Sequence, residues 1–324
     1  MSLPLGFPKA RPVQAGDVTF SVHEAGPEDG LPVLLVHGWP ELAFSWAPIV
    51  EALTGAGCRL IMPDQKGFGA SSKPEDLSEY SMTALTADYD RLLAAMGIEK
   101  AVVVGHDWGG ALIWPLAQRY PERCLGVASL CTPYPPLAPA PPLKIYRRKM
   151  GEAFYIVQFQ DEDLPDRVFG GKEELFFPFI FRPGPPRSRW ADLMPGVMAL
   201  PDRFTEAKGP YTDVIRPPEA LSVYVEAYRR SGHKTPTMVY RQIDTHWEER
   251  SAFNPQITMP ALMITAERDL MLPRELSEGM EERIPNLSRA HVDSGHWMMW
   301  EAPDEASAAL IRWMKESGFL TSSG

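Results

Sequence analysis

Cysteine is scarce: Cys58, Cys124 and Cys131 are the only three in 324 residues. No two are spaced C-x-x-C, and each falls in or beside an apolar run, so a disulfide framework and a zinc site are excluded in favour of reduced packing residues. No apolar run approaches the ~20 residues that cross a bilayer as a helix, and no membrane partner is expected. The opening residues, Met1 to Pro8, lack a basic stretch followed by an apolar one; no secretory leader is expected, and the cytoplasm is the expected compartment. Phosphate-cradling loops are missing too. Neither G-x-x-x-x-G-K-[ST] nor G-x-G-x-x-G occurs, and the lone Gly67-Phe68-Gly69 reads as close backbone packing. Positive charge is in deficit, 32 Lys and Arg against 42 Asp and Glu for a formal charge of -10. That balance argues against nucleic acid or an anionic membrane as a partner and leaves small neutral molecules open.

What is present is ordinary for a globular protein, 44% hydrophobic and 23% charged. Val18 to Glu24 alternates like a strand, and Pro32-Val33-Leu34-Leu35-Val36 is a continuous apolar run of the kind buried on both faces. Helical spacing follows over Ser45 to Leu53. Cys58 to Asp64 reads as the next buried strand, Ser81 to Met96 as an amphipathic helix, and Ala101 to Val104 as another strand. A helix kinked at Pro115 and a strand over Leu125 to Leu130 complete this rhythm, which implies a parallel doubly wound sheet. The rhythm stops at the Pro-rich stretch Thr132 to Pro142 and resumes at the strand Pro260 to Thr265. A helix over Glu275 to Ile284, a strand over Arg289 to Asp293 and a final helix over Glu305 to Met314 are expected after it. The expected organisation is therefore a core over 1–133, an inserted helical lid over 134–246, and the rest of the core over 247–324.

The most informative stretch is Gly105-His106-Asp107-Trp108-Gly109-Gly110, lying between an apolar strand and an apolar helix. Small residues around a central reactive one, on a strand-to-helix turn, form a nucleophile elbow. Here the central residue is Asp107. A carboxylate is ionised at neutral pH, so it can displace at a saturated carbon without a base, and the ester it forms is then open to water. In hydrolases of this architecture, the loop after an earlier strand and the residue after the nucleophile supply backbone N-H groups to an oxyanion hole. The corresponding amides are those of Trp39, in His37-Gly38-Trp39-Pro40-Glu41, and Trp108. Asp269 and His296 each follow a predicted strand, giving the chain order nucleophile, acid, histidine. In that arrangement Asp269 orients His296, which takes a proton from water attacking the Asp107 ester.

Taken together, these motifs, with Asp64-Gln65-Lys66-Gly67-Phe68-Gly69 and Ser294-Gly295-His296, resemble the epoxide hydrolases of the α/β-hydrolase fold over nearly the whole chain. The resemblance implies two lid tyrosines that hold the epoxide oxygen. Phe154 to Gln160 resembles the segment carrying the first, which makes it Tyr155, and Met238-Val239-Tyr240-Arg241 the segment carrying the second, Tyr240; Tyr224 and Tyr228 are the fallback pair. A small-molecule epoxide is then the substrate, no cofactor or metal is required, and monomer and homodimer both remain open. Haloalkane dehalogenases share the triad and Trp108, but a departing halide needs no proton and hence no tyrosine pair. A catalytically silent binding protein of the same fold is the reading of another class. Trp39, Phe44, Phe159, Phe179, Trp190, Met238 and Trp297 are available as pocket residues.

Overall fold

The computed structural model describes residues 3–321; Met1 and Ser2, the start of the stretch in which no leader is expected, and residues 322–324 lie outside it. Eight strands form one sheet: β1 (Ala10–Ala15), β2 (Val18–Ala25), β3 (Leu31–Val36), β4 (Cys58–Pro63), β5 (Ala101–His106), β6 (Cys124–Leu130), β7 (Ala261–Ala266) and β8 (Leu287–Val292). Their spatial order is β1-β2-β4-β3-β5-β6-β7-β8. The β1–β2 and β2–β4 pairs are antiparallel and the others parallel. The continuous apolar runs are the central strands, because a parallel strand covered by helices has no solvent face. All six residues of β5 are buried, and Val33 to Val36 of β3 are fully so.

Order reverses at β3, which has β4 on one side and β5 on the other. Such a switch point opens a crevice beyond the carboxyl ends of the strands. Register then fixes its contents: Val36 pairs with Gly105, so the loop that starts at His37 lies beside Asp107. Helix α1 (Val50–Gly55) follows a 3-10 stretch, Ala43–Ile49, where the pattern implied one helix over Ser45 to Leu53. Pro48 has no N-H to donate there. Helix α2 (Met82–Ala95) starts where Ser81 Oγ accepts from the Ala84 amide at 3.1 Å. Helix α3 (Trp108–Arg119) continues through Pro115 as one element.

Two expectations fail. The strand pattern starts only at Val18, yet β1 precedes it; Pro12 is tolerated because β1 is an edge strand. No α-helix spans Glu275 to Ile284. Two 3-10 turns, Arg274–Ser277 and Met280–Glu282, replace it, broken by Gly279 at φ +71. The apolar spacing there was misleading: Met280 and Ile284 are buried, but Leu276 is 48% exposed.

Between β6 and β7 the chain forms short helices, from Pro142–Met150 to Ile243–Ser251. Their shared core is aromatic, with Phe169 against Phe176 at 4.5 Å and Phe177 against Tyr228 at 5.1 Å between ring centroids. The helix Pro303–Glu316 closes the sheet by burying Ala306, Ala309, Leu310, Trp313 and Met314. None of the described helices is long and apolar enough to cross a membrane.

Candidate active site

Asp107 stands at the turn between β5 and α3 with φ 50° and ψ -120°. A side-chain-bearing residue is rarely found there, at a cost of ~1–3 kcal/mol, and holding one at the head of a central strand lifts its carboxylate above the sheet. Neighbouring glycines make room. A Cβ at Gly38 would overlap Asp107 itself, and one at Gly109 would overlap the Val36 carbonyl. Thr132 Oγ1 donates to the Asp107 carbonyl at 2.8 Å, which fixes the turn from β6.

The two carboxylate oxygens of Asp107 differ in their surroundings. Oδ1 accepts from the Trp39 amide at 2.7 Å, and Oδ2 faces His296 Nε2 at 3.6 Å. The Trp108 amide, first in α3, has no acceptor within its helix and lies at the positive end of the helix dipole. On the other side of the imidazole, His296 Nδ1 donates to Asp269 Oδ2 at 2.7 Å. Asp269 is fully buried, and its Oδ1 accepts the Met271 and Leu272 amides at 2.9 Å each. The expected residues Asp107, Asp269, His296, Trp39 and Trp108 are thus brought to one place.

Electrostatics make this a charged pair. Burial pulls down on the His296 pKa, but the carboxylates of Asp269 and Asp107 outweigh it and hold the ring well above its ordinary value. For Asp269, burial pushes upward, and His296 with the Leu272 amide reverses it to a net lowering. Alkylation of Asp107 would remove one of the two charges that hold the proton on His296. The ring would then turn towards the basic form when a base is needed.

Tyr155 and Tyr240 also meet here, with ring centroids 5.7 Å apart at an interplanar angle of 75°. Tyr240 is wedged among Trp39 at 5.7 Å, Trp108 at 4.9 Å and Phe159 at 5.2 Å. Burial, then the Asp107 charge for Tyr155 and Tyr155 itself for Tyr240, raises both phenols above the ordinary tyrosine range, so they stay donors. Tyr224 is otherwise engaged, its hydroxyl paired with Ser45 Oγ at 2.8 Å. The Tyr228 hydroxyl is buried with no partner among the described residues.

Of the pocket candidates, Trp39 and Phe159, whose ring centroids lie 5.4 Å apart, both adjoin Tyr240, and Trp297 packs on His296 at 4.8 Å. Phe44 packs against Tyr224 and Trp300, Phe179 against Phe204 and Tyr211, and Met238 is buried. Trp190 is turned to its own loop, its indole donating to Pro185 at 3.1 Å under the Arg187 guanidinium.

Two residues of the quoted motifs carry more than the sequence revealed. Glu41 Oε2 accepts the Gly38 amide at 2.6 Å and His106 Nδ1 at 2.7 Å, and His106 Nε2 donates to the His296 carbonyl at 2.8 Å. One buried chain therefore joins the Trp39 loop, the nucleophile strand and the histidine loop. His106, Cys131 and His296 place possible metal donors within 4.8 Å of one another, but both His106 nitrogens are already committed. Lys66, in the Gly67-Phe68-Gly69 loop region, is structural: its ammonium is buried 2.5 Å from Asp88 and 3.0 Å from Glu79.

Comparison with known proteins gives the family to which the fold belongs. Residues 32–303 match the family model described as the alpha/beta hydrolase fold. Epoxide hydrolase A of Mycobacterium tuberculosis is 34% identical over 319 residues, covering 96% of this chain and 98% of that protein. The bifunctional epoxide hydrolase 2 of Rattus norvegicus is 35% identical over 297 residues, 88% of this chain and 52% of that protein, so the chain spans about half its length. Among solved structures, epoxide hydrolase A from Mycobacterium thermoresistibile superposes with a TM-score of 0.87 at 33% identity, covering 95% of this chain and 98% of that one. An epoxide hydrolase from an endophytic Streptomyces gives 0.86 at 30% identity, covering 96% of each chain.

Proposed function

The chain belongs to the α/β-hydrolase-fold family, and from that premise we propose that it hydrolyses a small-molecule epoxide to a vicinal diol through an ester on Asp107. The observation that carries the reading is the unequal carboxylate, with Oδ1 on the Trp39 amide and Oδ2 free of backbone and facing His296, beside the paired rings of Tyr155 and Tyr240. Oδ2 attacks a ring carbon, the ring C–O bond breaks, and the departing oxygen takes a phenol proton as its charge develops. Asp107 is now an ester. Water attacks its carbonyl carbon while His296 Nε2 accepts the water proton, and Asp269 balances the imidazolium that forms. Negative charge collects on Oδ1, where the Trp39 amide already donates and the Trp108 amide lies at the head of α3. Collapse breaks the ester bond as the imidazolium gives its proton to the departing diol oxygen, and the acid proton left on Asp107 returns to the tyrosinate, so that diol, carboxylate and phenol are all restored.

In this reading the expected insertion, 134–246, is a lid: it supplies both tyrosines and keeps bulk water from the ester. Three facts support it: the two tyrosines come from separate insertion helices, their hydroxyls are held protonated by burial, and the relatives named above are epoxide hydrolases.

Hydrolysis of a simple aryl epoxide and of a matched bromoalkane, followed in parallel for wild type and Asp107→Ala, tests the proposal. Diol without bromide, lost in the variant, is the expected result. Bromide without diol would make the protein a dehalogenase, and no turnover of either would favour a binding protein.

A further inference from the structure

The Glu301 side chain, only 5% exposed, sits behind the catalytic histidine. Its Oε2 accepts the Gly295 amide at 2.9 Å and its Oε1 the Trp297 amide at 3.3 Å, from the residues on either side of His296. The same Oε2 accepts the Gly184 amide at 3.1 Å, from the insertion. Gly184 and Gly295 are glycines for a reason: a Cβ on either would overlap the backbone of the other. The contact is reinforced by the Trp297 indole, which donates to the Ile180 carbonyl at 3.0 Å. A second strut joins the two triad loops, where the Arg268 amide donates to the Ser294 carbonyl at 2.8 Å.

We propose that Glu301 is a positioning residue that clamps the insertion to the histidine loop and so sets the rate of ester hydrolysis, but not of ester formation. The inference rests on the epoxide-hydrolase reading. All three partners are donors, so the group between them has to accept at both oxygens, which an ionised carboxylate does and an amide cannot. Charge-assisted bonds of this kind are about twice as strong as neutral ones. Loosening them frees the peptides flanking His296, whose Nε2 is set 3.6 Å from Asp107 Oδ2. Displacement of such a group by about 1 Å costs on the order of 10²-fold in the step that uses it. His296 acts in hydrolysis alone. Attack by Asp107 needs neither His296 nor Glu301.

The experiment compares wild type, Glu301→Gln, Glu301→Asp and His296→Gln on an aryl epoxide, by steady-state kinetics and by intact mass during turnover. In Glu301→Gln, kcat and KM are expected to fall together by about 10²-fold with kcat/KM unchanged, and substrate mass accumulates on Asp107. Glu301→Asp, which keeps the charge, recovers part of kcat. A fall in kcat/KM with no accumulated ester, or an unchanged kcat, overturns the clamp while trapping in His296→Gln leaves the epoxide reading standing. Absence of trapping in His296→Gln overturns the epoxide reading and the clamp with it. Should Glu301→Gln fail to fold, Gly184→Ala loosens the same contact from the insertion side and is expected to give the same split, its absence counting against the clamp.

Discussion

In the proposed mechanism, removing the Tyr155 and Tyr240 hydroxyls separates ring opening from every other step. Tyr155→Phe and Tyr240→Phe keep the aromatic shape, so the contacts of Tyr240 with Trp39, Trp108 and Phe159 survive. What is lost is two donors to an oxygen that becomes an alkoxide. A preorganised donor of this kind is worth ~10²–10³ in rate, or ~2.7–4 kcal/mol, so the pair together supplies roughly 5–8 kcal/mol. Each single variant is expected to slow alkylation by about 10², the double variant by ~10⁴ or more. The assay uses a His296→Gln background, in which the ester persists, and follows substrate mass on the protein against time. Because burial holds both phenols above the ordinary tyrosine range, the parent alkylation rate should show no loss with rising pH until beyond pH ~10. A double variant that alkylates within tenfold of its parent would refute the assignment and leave the unpartnered Tyr228 hydroxyl as the place to look.

Three further outcomes concern stability. Asp107→Gly should abolish turnover yet raise stability by roughly 1 kcal/mol, since glycine adopts the positive φ at no steric cost; a lower denaturation midpoint in urea would contradict this. Lys66→Met removes the buried one of the two cations at Asp88, leaving only the half-exposed Arg91, and should cost about 3 kcal/mol, with the Lys66→Met/Asp88→Leu double variant costing less; equal losses would argue against a buried pair. His246 is buried with its pKa pushed down to about 4. Its folded value lies below its unfolded one, so the unfolded chain binds the extra proton and stability is lost as pH falls from 6.5 towards 4. The loss amounts to about 3 kcal/mol. In His246→Phe that part of the acid sensitivity should vanish from urea titrations across the same range, and its persistence would show that another group is responsible.

The core was legible in the sequence because its signals are local. A β-branched run, a small-residue turn and an apolar helix stand side by side around Asp107, and short apolar runs mark β3, β4, β6 and β7 in the same local way. Asp269 and His296 were readable because open α/β sheets gather functional side chains beyond their strand ends, so chain order stood in for distance. Positions that depend on remote partners were not readable. β1 is a strand only because β2 pairs with it, and Gly279 breaks a helix that apolar spacing alone supports. Glu41 meets His106 across 65 residues, and Glu301 meets Gly184 across 117. A lone glutamate in a loop or short helix gives no sign of such a partner, since most are solvated. The tyrosines lay between these cases. Their segments could be matched to a family, but that Tyr155 and Tyr240 face each other is a product of the insertion's aromatic packing.

The central claim is that Asp107 carries the substrate as an ester, and a single turnover in heavy-oxygen water tests it most directly. With enzyme in excess over epoxide, the diol of the first turnover takes its new oxygen from Asp107 Oδ2. Unlabelled diol and a heavier peptide containing Asp107 are therefore expected. Heavy oxygen in the diol, with an unlabelled Asp107, would mean that water attacks the epoxide itself and would contradict the account.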